Sequence, residues 1–358
     1  MAKFTEIFED VTKQGTKIPT NLYLESGLYP IVDQGQSEIA GYTNESDGVF
    51  KDVPAIVFGD HTRIIKYIDT PCFLGADGVK LLRAKSVNAN YKYLYYALCN
   101  ADIPNTGYNR HFKWLKEVDI PDYSEQEQAM IVDQLEKIDA LLALRKQQLS
   151  KLDELVKARF IEMFGDQKAN PFGWQQSAIG DCCTLKSGTS LPADKENEGG
   201  AIPYVKVGDM NYPGNEQYIT TSSRFVTEQT AGAGIFPVGT VIFPKRGGAI
   251  GTNKKRLTTI PICADLNVMG VTAGTALKSQ YLMAYFNMVD LGALDNGSSV
   301  PQINNKDIAP LVICLPPMEF QEQFAAFVEQ TDKSKFEIQK SLEKLETLKK
   351  ALMQKYFG

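Results

Sequence analysis

The residues best suited to chemistry are cations that lie close together. Between Gln229 and Ala264 the chain carries no Asp or Glu, yet it holds Lys245, Arg246, Lys254, Lys255 and Arg256. They sit in and around a glycine-rich loop, Phe243-Pro244-Lys245-Arg246-Gly247-Gly248-Ala249-Ile250-Gly251-Thr252-Asn253. Glycine lets a backbone approach a phosphate closely. Lys and Arg can neutralise phosphates or read guanine O6 and N7, and Asn253 can pair with adenine N6 and N7. Charge runs are also ordinary in solvated hairpin turns, so composition leaves both readings open.

A second group of polar residues occupies the corresponding place in the first half. Gly59-Asp60-His61-Thr62-Arg63, followed by Lys66, sits where Pro244-Lys245-Arg246-Gly247 sits in the second half. Asn109, Arg110, His111 and Lys113 precede an Ile-Pro step at residue 120. Ser298 and Gln302 precede a Leu-Pro step at residue 315, and Lys206 follows an apolar run. Different polar groups at equivalent places are expected if two related modules read different bases. Each histidine could equally be an ordinary surface or hydrogen-bonded residue. Tyr91, Tyr93, Tyr95 and Tyr96 could stack on bases, but their helical context favours packing against a sheet.

Several catalytic signatures are missing. There is no Gly-x-x-x-x-Gly-Lys-(Ser/Thr) phosphate loop and no (Asn/Asp)-Pro-Pro-(Tyr/Phe) motif. Two histidines, His61 and His111, leave little room for nucleophilic catalysis or a zinc site. The six cysteines form no Cys-x-x-Cys pair and are expected to be reduced and mostly buried. The net charge of −5 does not advertise a nucleic-acid partner, although a global sum hides local fields. No apolar run is long enough for a membrane span, and the N-terminus lacks a signal-peptide core, so a cytoplasmic location is expected.

The elements that must position these residues are written twice. Ile120-Pro121-Asp122-Tyr123-Ser124-Glu125-Gln126-Glu127-Gln128 leads into a helical stretch ending at Met163-Phe164-Gly165. Leu315-Pro316-Pro317-Met318-Glu319-Phe320-Gln321-Glu322-Gln323 leads into one ending at Tyr356-Phe357-Gly358. Ser124 and Glu127 fit a capping box, and Gly165 fits a helix stop. Leu135, Leu142, Leu149, Val156 and Met163 recur every seven residues, with Ile138 and Leu152 between them and Arg145 and Arg159 interrupting. In the second stretch Ile338, Leu345 and Leu352 form one row. Val328, Leu342 and Tyr356 belong to the other, interrupted by Lys335 and Lys349. This is a coiled-coil seam, and two such helices in one chain can bury each other in an antiparallel pair. Short strand-like runs such as Ala55–Phe58, Ile202–Val207 and Gly239–Phe243 mark the two globular segments.

With the restart Asn170-Pro171-Phe172-Gly173-Trp174, the opening Phe8-Glu9-Asp10-Val11-Thr12-Lys13 and the Lys186-Ser187-Gly188 region, this duplicated order resembles the DNA-specificity subunit of type I restriction–modification systems. The resemblance spans essentially the whole chain. It implies an α/β (α+β) fold with two target-recognition domains, residues 1–122 and 166–315, and two antiparallel spacer helices, residues 123–165 and 316–358, in an internal pseudo-two-fold repeat. It implies a non-catalytic subunit that reads a bipartite site in double-stranded DNA. Its partners would be two methyltransferase subunits and restriction–translocase subunits, with S-adenosylmethionine, ATP and Mg bound by those partners and not by this chain. The polar residues that flank or interrupt the seam, Arg145, Lys146, Lys151, Lys335, Lys340 and Lys349, either contact the methyltransferase subunits or keep the coil soluble. Roughly 35 helical residues span about 50 Å, more than the 34–36 Å of one DNA turn, so the coil could act as a ruler between half-sites. The competing readings are a coiled-coil adaptor without DNA specificity and a methyltransferase with a degenerate catalytic region.

Overall fold

In the computed structural model, residues 1–75, 77–294 and 300–358 are described. The chain divides into two compact units, Met1–Gln147 with Gln339–Gly358, and Gln148–Ile338. Each unit therefore takes one globular segment and one half of each long helix, where the linear reading separates segments from spacers.

The first unit opens with strand Ala2–Lys3, a helical turn Phe4–Ile7 and strand Phe8–Asp10. Ala2–Lys3 pairs antiparallel with Asp119–Ile120. The main sheet runs in the order Phe8–Asp10, Val79–Ala84, Ala55–Gly59, Ile65–Ile68, all antiparallel. A smaller sheet places Tyr29–Val32 between Gly41–Thr43, antiparallel, and Phe73–Leu74, parallel. Ala55, Ile56, Val57 and Phe58 are all buried, as a strand covered on both faces requires. Helix Tyr91–Cys99 starts at Asn90, whose side chain accepts from the Tyr93 N–H at 3.1 Å. It buries Tyr93 and Tyr96, so these tyrosines pack and do not stack on a ligand.

The second unit repeats the plan. Strand Gln175–Ala178, turn Ile179–Cys182 and strand Cys183–Ser187 open it, and the first strand pairs with Val312–Leu315. The sheet order is Cys183–Ser187, Val268–Ala273, Thr240–Pro244, Arg256–Thr258, Tyr218–Ile219. Ile202–Val205 runs parallel to Ile262–Ala264, as Tyr29–Val32 does to Phe73–Leu74. Helix Ser279–Met288 matches Tyr91–Cys99. The sequence repeat is thus a repeat of sheet topology, down to the parallel pair, with Tyr218–Ile219 added to one sheet and Ile235–Phe236 to the other.

The long helices are Glu125–Phe164 and Met318–Phe357. Ser124 N–H donates to Glu127 Oε2 at 2.9 Å and Glu127 N–H to Ser124 Oγ at 3.4 Å, the reciprocal cap expected. Gly165 stops the first helix at φ +72°, and a Cβ there would lie 2.4 Å from Pro171 Cγ. Both facts require glycine. Just beyond, Asn170 and Trp174 exchange hydrogen bonds of 2.9 Å between the Asn side chain and the Trp backbone, which explains the Asn-Pro-x-Gly-Trp spelling.

Within each unit the helix halves run antiparallel. In the first, Asp139 meets Lys349 and Gln134 meets Tyr356; in the second, Asp153 meets Lys335 at 2.6 Å. Leu135, Ile138 and Leu342 are buried, while Leu142, Leu149, Leu152, Val156, Ile338, Leu345 and Leu352 are half-buried. The lysines that interrupt the second heptad row are therefore ion-paired across the seam.

The helix tails complete the cores. Phe160 and Phe164, at the end of the first helix, are buried in the second unit against Tyr281 and Phe324, with ring centroids 4.7–5.6 Å apart. Met353 and Tyr356, at the end of the second helix, are buried in the first unit, where Phe357 packs on Tyr93 at 5.4 Å. Gln321, fully buried in the second Gln-Glu-Gln, fixes that helix start. Its amide donates to the carbonyls of Ala276 and Pro316 and accepts from the Lys278 N–H.

Candidate nucleic-acid interface

In each unit the turn that follows the central strand is docked by the loop that precedes the last short helix. The sequence reading identified these two places separately; the fold brings them together. In the first unit the dock is Asp60, which is buried. Its carbonyl accepts from His111 N–H at 2.7 Å and lies 2.9 Å from His111 Nδ1, and its carboxylate accepts from Phe112 N–H at 2.7 Å. In the second unit the dock is a short antiparallel bridge, with Gly247 N–H donating to Pro301 O at 2.8 Å and Ile303 N–H to Lys245 O at 3.0 Å. Asp60 was not among the candidates, because nothing in the sequence marks an acid beside a histidine as a backbone clamp.

The docked loops of the first unit present His61, Tyr108, Asn109, Arg110 and Lys113. His61 stacks on Tyr108, with ring centroids 4.6 Å apart and 8° between planes, and its Nδ1 lies 3.2 Å from the Asn109 carbonyl. Tyr108 is 87% exposed, so the stack stands on the surface; it too was missed. Asn109 and Arg110 are exposed, and Lys113 lies 4.1 Å over the Trp114 ring. Arg63, at φ +63°, donates to the Ile103 carbonyl at 2.9 Å and borders a 270 Å³ hollow with Leu98, Cys99 and Ile103.

Two first-unit candidates are corrected. Lys66 is only 2% exposed, and its ammonium donates to the Ser37 carbonyl at 2.5 Å with Asp33 at 3.5 Å. His111 is fully buried in the Asp60 dock. Alternation along a strand decides which side chains turn inward, and a buried ammonium must be paired. Both residues hold the fold and are not offered to a ligand.

In the second unit Lys245 donates to Ser187 Oγ at 2.8 Å. Burial, with Arg246 adding to it, holds its ammonium below the usual lysine range. Lys254 donates to Asn211 Oδ1 at 2.5 Å, and Lys206 pairs with Glu196 at 2.6 Å. Lys255 is another correction. It is buried, its ammonium donates to Asn253 Oδ1 and the Val289 carbonyl, each at 2.7 Å, and burial lowers its pKa to about 8. Asn253, at φ +53°, also accepts from Leu291 N–H, so its side-chain oxygen is used by the fold. Gln302 donates to Asn304 Oδ1 at 2.7 Å. Ser298 lies outside the described residues.

Two glycines in this turn have no reason in the fold to be glycine. A Cβ on Gly248 or Gly251 would meet nothing within 4 Å, and neither has the positive φ of Gly247. Bare backbone at an exposed basic turn suits something approaching from outside. Among the described residues no cluster of three His, Cys, Asp or Glu side chains could hold a metal ion.

A duplicated α+β module that presents a different set of polar groups from the same docked loops defines a class of paired recognition modules. The chain belongs to the type I restriction modification DNA specificity domain family, whose model matches residues 1–154 and 171–350. It is 25% identical over 265 residues to the type I restriction enzyme MjaIX specificity subunit of Methanocaldococcus jannaschii, over 67% of this chain but only 60% of that relative. It is 20% identical over 337 residues to the EcoR124I/EcoR124II specificity subunit of Escherichia coli, covering 87% of this chain and 81% of that one. The fold is shared with the S subunit of a type I restriction–modification system from M. genitalium, at TM-score 0.58 and 18% identity over 99% of this chain and 95% of that one. A structure describing complex assembly and conformational transition of the type I system matches with TM-score 0.57 and 17% identity, covering 99% and 95%.

Proposed function

We propose that this chain is the non-catalytic DNA-recognition subunit of a type I restriction–modification complex. It reads a bipartite site in double-stranded DNA and directs methylation, and with a restriction subunit cleavage, by its partners. The observation that carries this reading is the recurrence of one loop dock in both units with different groups on it: His61, Asn109 and Arg110 in one, Arg246 and Lys254 in the other. One scaffold with two sets of contacts suits a target of two unlike halves.

On this reading the partners are two methyltransferase subunits carrying S-adenosylmethionine and restriction–translocase subunits carrying ATP and Mg. The chain itself binds none of these cofactors and works in the cytoplasm. No described helix is long and apolar enough to cross a membrane.

The test is co-expression with the neighbouring methyltransferase subunit, followed by single-molecule mapping of adenine methylation. One bipartite motif with a fixed gap, lost when this chain is omitted, is the expected result. A stable complex that methylates no motif would leave a coiled-coil adaptor as the better account.

A further inference from the structure

We propose that Arg246 is the side chain through which the second unit reads a guanine. The inference rests on the DNA-recognition reading and adds which residue specifies which base.

The backbone of Arg246 is extended, at φ −141° and ψ 145°, two residues past the end of strand Thr240–Pro244. It faces Gln302 across the antiparallel bridge, and the two hydrogen bonds of that bridge flank the pair on either side. In that arrangement opposite Cα atoms come closest and their side chains leave the same face. Arg246 is thus fixed in position and direction by a segment more than fifty residues away in sequence.

Its guanidinium differs from the other cations of the acid-free stretch. Lys245 is held by Ser187, Lys254 by Asn211, and Lys255 by Asn253 and Val289. Arg256 donates to the carbonyls of Met210, Asn215 and Lys255. Arg246 is exposed, and its side chain makes no hydrogen bond or ion pair among the described residues. No acid between Gln229 and Ala264 stands ready to neutralise it.

A free guanidinium on a clamped backbone suits a ligand for which direction matters. A phosphate accepts a cation from many angles. Guanine offers two acceptors, O6 and N7, side by side on its major-groove edge, and the arginine fork matches them with two parallel bonds. Adenine places a donor beside N7, and the pyrimidines lack the paired acceptors. The open space over Gly248 and Gly251 leaves the turn free to approach the groove. The first unit has His61 at the matching place, stacked on Tyr108, so the guanidinium device belongs to one half-site.

The test compares complexes containing the native chain, Arg246→Gln and Arg246→Lys by methylation mapping and by binding to the mapped site at several salt concentrations. Arg246→Gln should lose the requirement for one guanine in one half-site and Arg246→Lys should weaken it, with the other half-site and the gap unchanged. Affinity for the native site should fall about 10- to 100-fold. Equal thermal midpoints would show that folding is intact. Uniform weakening on all sequences, with a salt slope smaller by about one, would make Arg246 a phosphate ligand and overturn the proposal. So would a motif left unchanged by Arg246→Gln. A native complex with no motif at all would instead remove the recognition reading on which the proposal stands.

Discussion

Lys255 shows how a cation in a basic turn can serve the fold alone. Its ammonium is buried and its pKa lies at about 8, below the ordinary 10.5. Between those two values the unfolded chain holds a proton that the folded chain has released. Stability contributed by this group therefore rises with pH from about 8 to 10.5, and the burial penalty is constant below that window. Lys255→Met should flatten this rise in thermal melts across the window and cost about 1–3 kcal/mol for the acceptors left unpaired. DNA affinity should stay unchanged; a large loss would mean that the ammonium reaches the ligand after all. Gly248→Ala should behave in the opposite way. Its methyl meets no atom of the chain, so thermal stability should hold while DNA binding weakens. At this scale the sequence was a poor guide. It located the basic turn but could not separate Arg246, which points out, from Lys66 and Lys255, which point in. That choice depends on strand alternation and on acceptors such as the Ser37 and Val289 carbonyls, contributed from distant segments.

The elements were far more legible. The Ser124 cap, the Gly165 stop and the heptad row were readable because each is set by residues within a few positions. Ser124→Ala should lower stability by about 0.5–2 kcal/mol in denaturant titrations. The dock between residues 245–247 and 301–303 was not readable, since nothing local announces a two-bond bridge. The ion pairs at the heptad interruptions were not readable for a related reason: Lys335 and Lys349 find Asp153 and Asp139 on the other helix. The same pairings supply a spacing experiment. Deleting residues 143–149 and 339–345 removes one heptad from each helix, about 10 Å at 1.5 Å per residue, and keeps the seam in phase. If the helices set the distance between half-sites, the gap in the methylation motif should shorten by about three base pairs at 3.4 Å each. An unchanged gap would count against a ruler.

At the scale of the molecule, the duplication visible in the sequence is a duplication of topology, and the family match covers both copies. The Phe-Gly endings were read only as helix stops. They are also core pieces, because Phe164 is buried, and Phe357 packs beside the buried Tyr356, among residues that lie far from them along the chain. Tyr356→Ala should destabilise the first unit by about 3–5 kcal/mol, as removal of a buried aromatic does, and hydrogen exchange should locate the loss among residues 91–99 and 120–135.

This exchange of tails has a consequence during synthesis. The first unit begins to leave the ribosome before the second, yet its core lacks Met353 and Tyr356 until those residues have been made. The second unit, from Gln148 to Ile338, takes no part from the residues after Ile338. The nascent chain should therefore mature out of order, with its middle consolidating first and its beginning last. A chain truncated after residue 340 would display a protease-resistant second unit beside a first unit still open to cleavage.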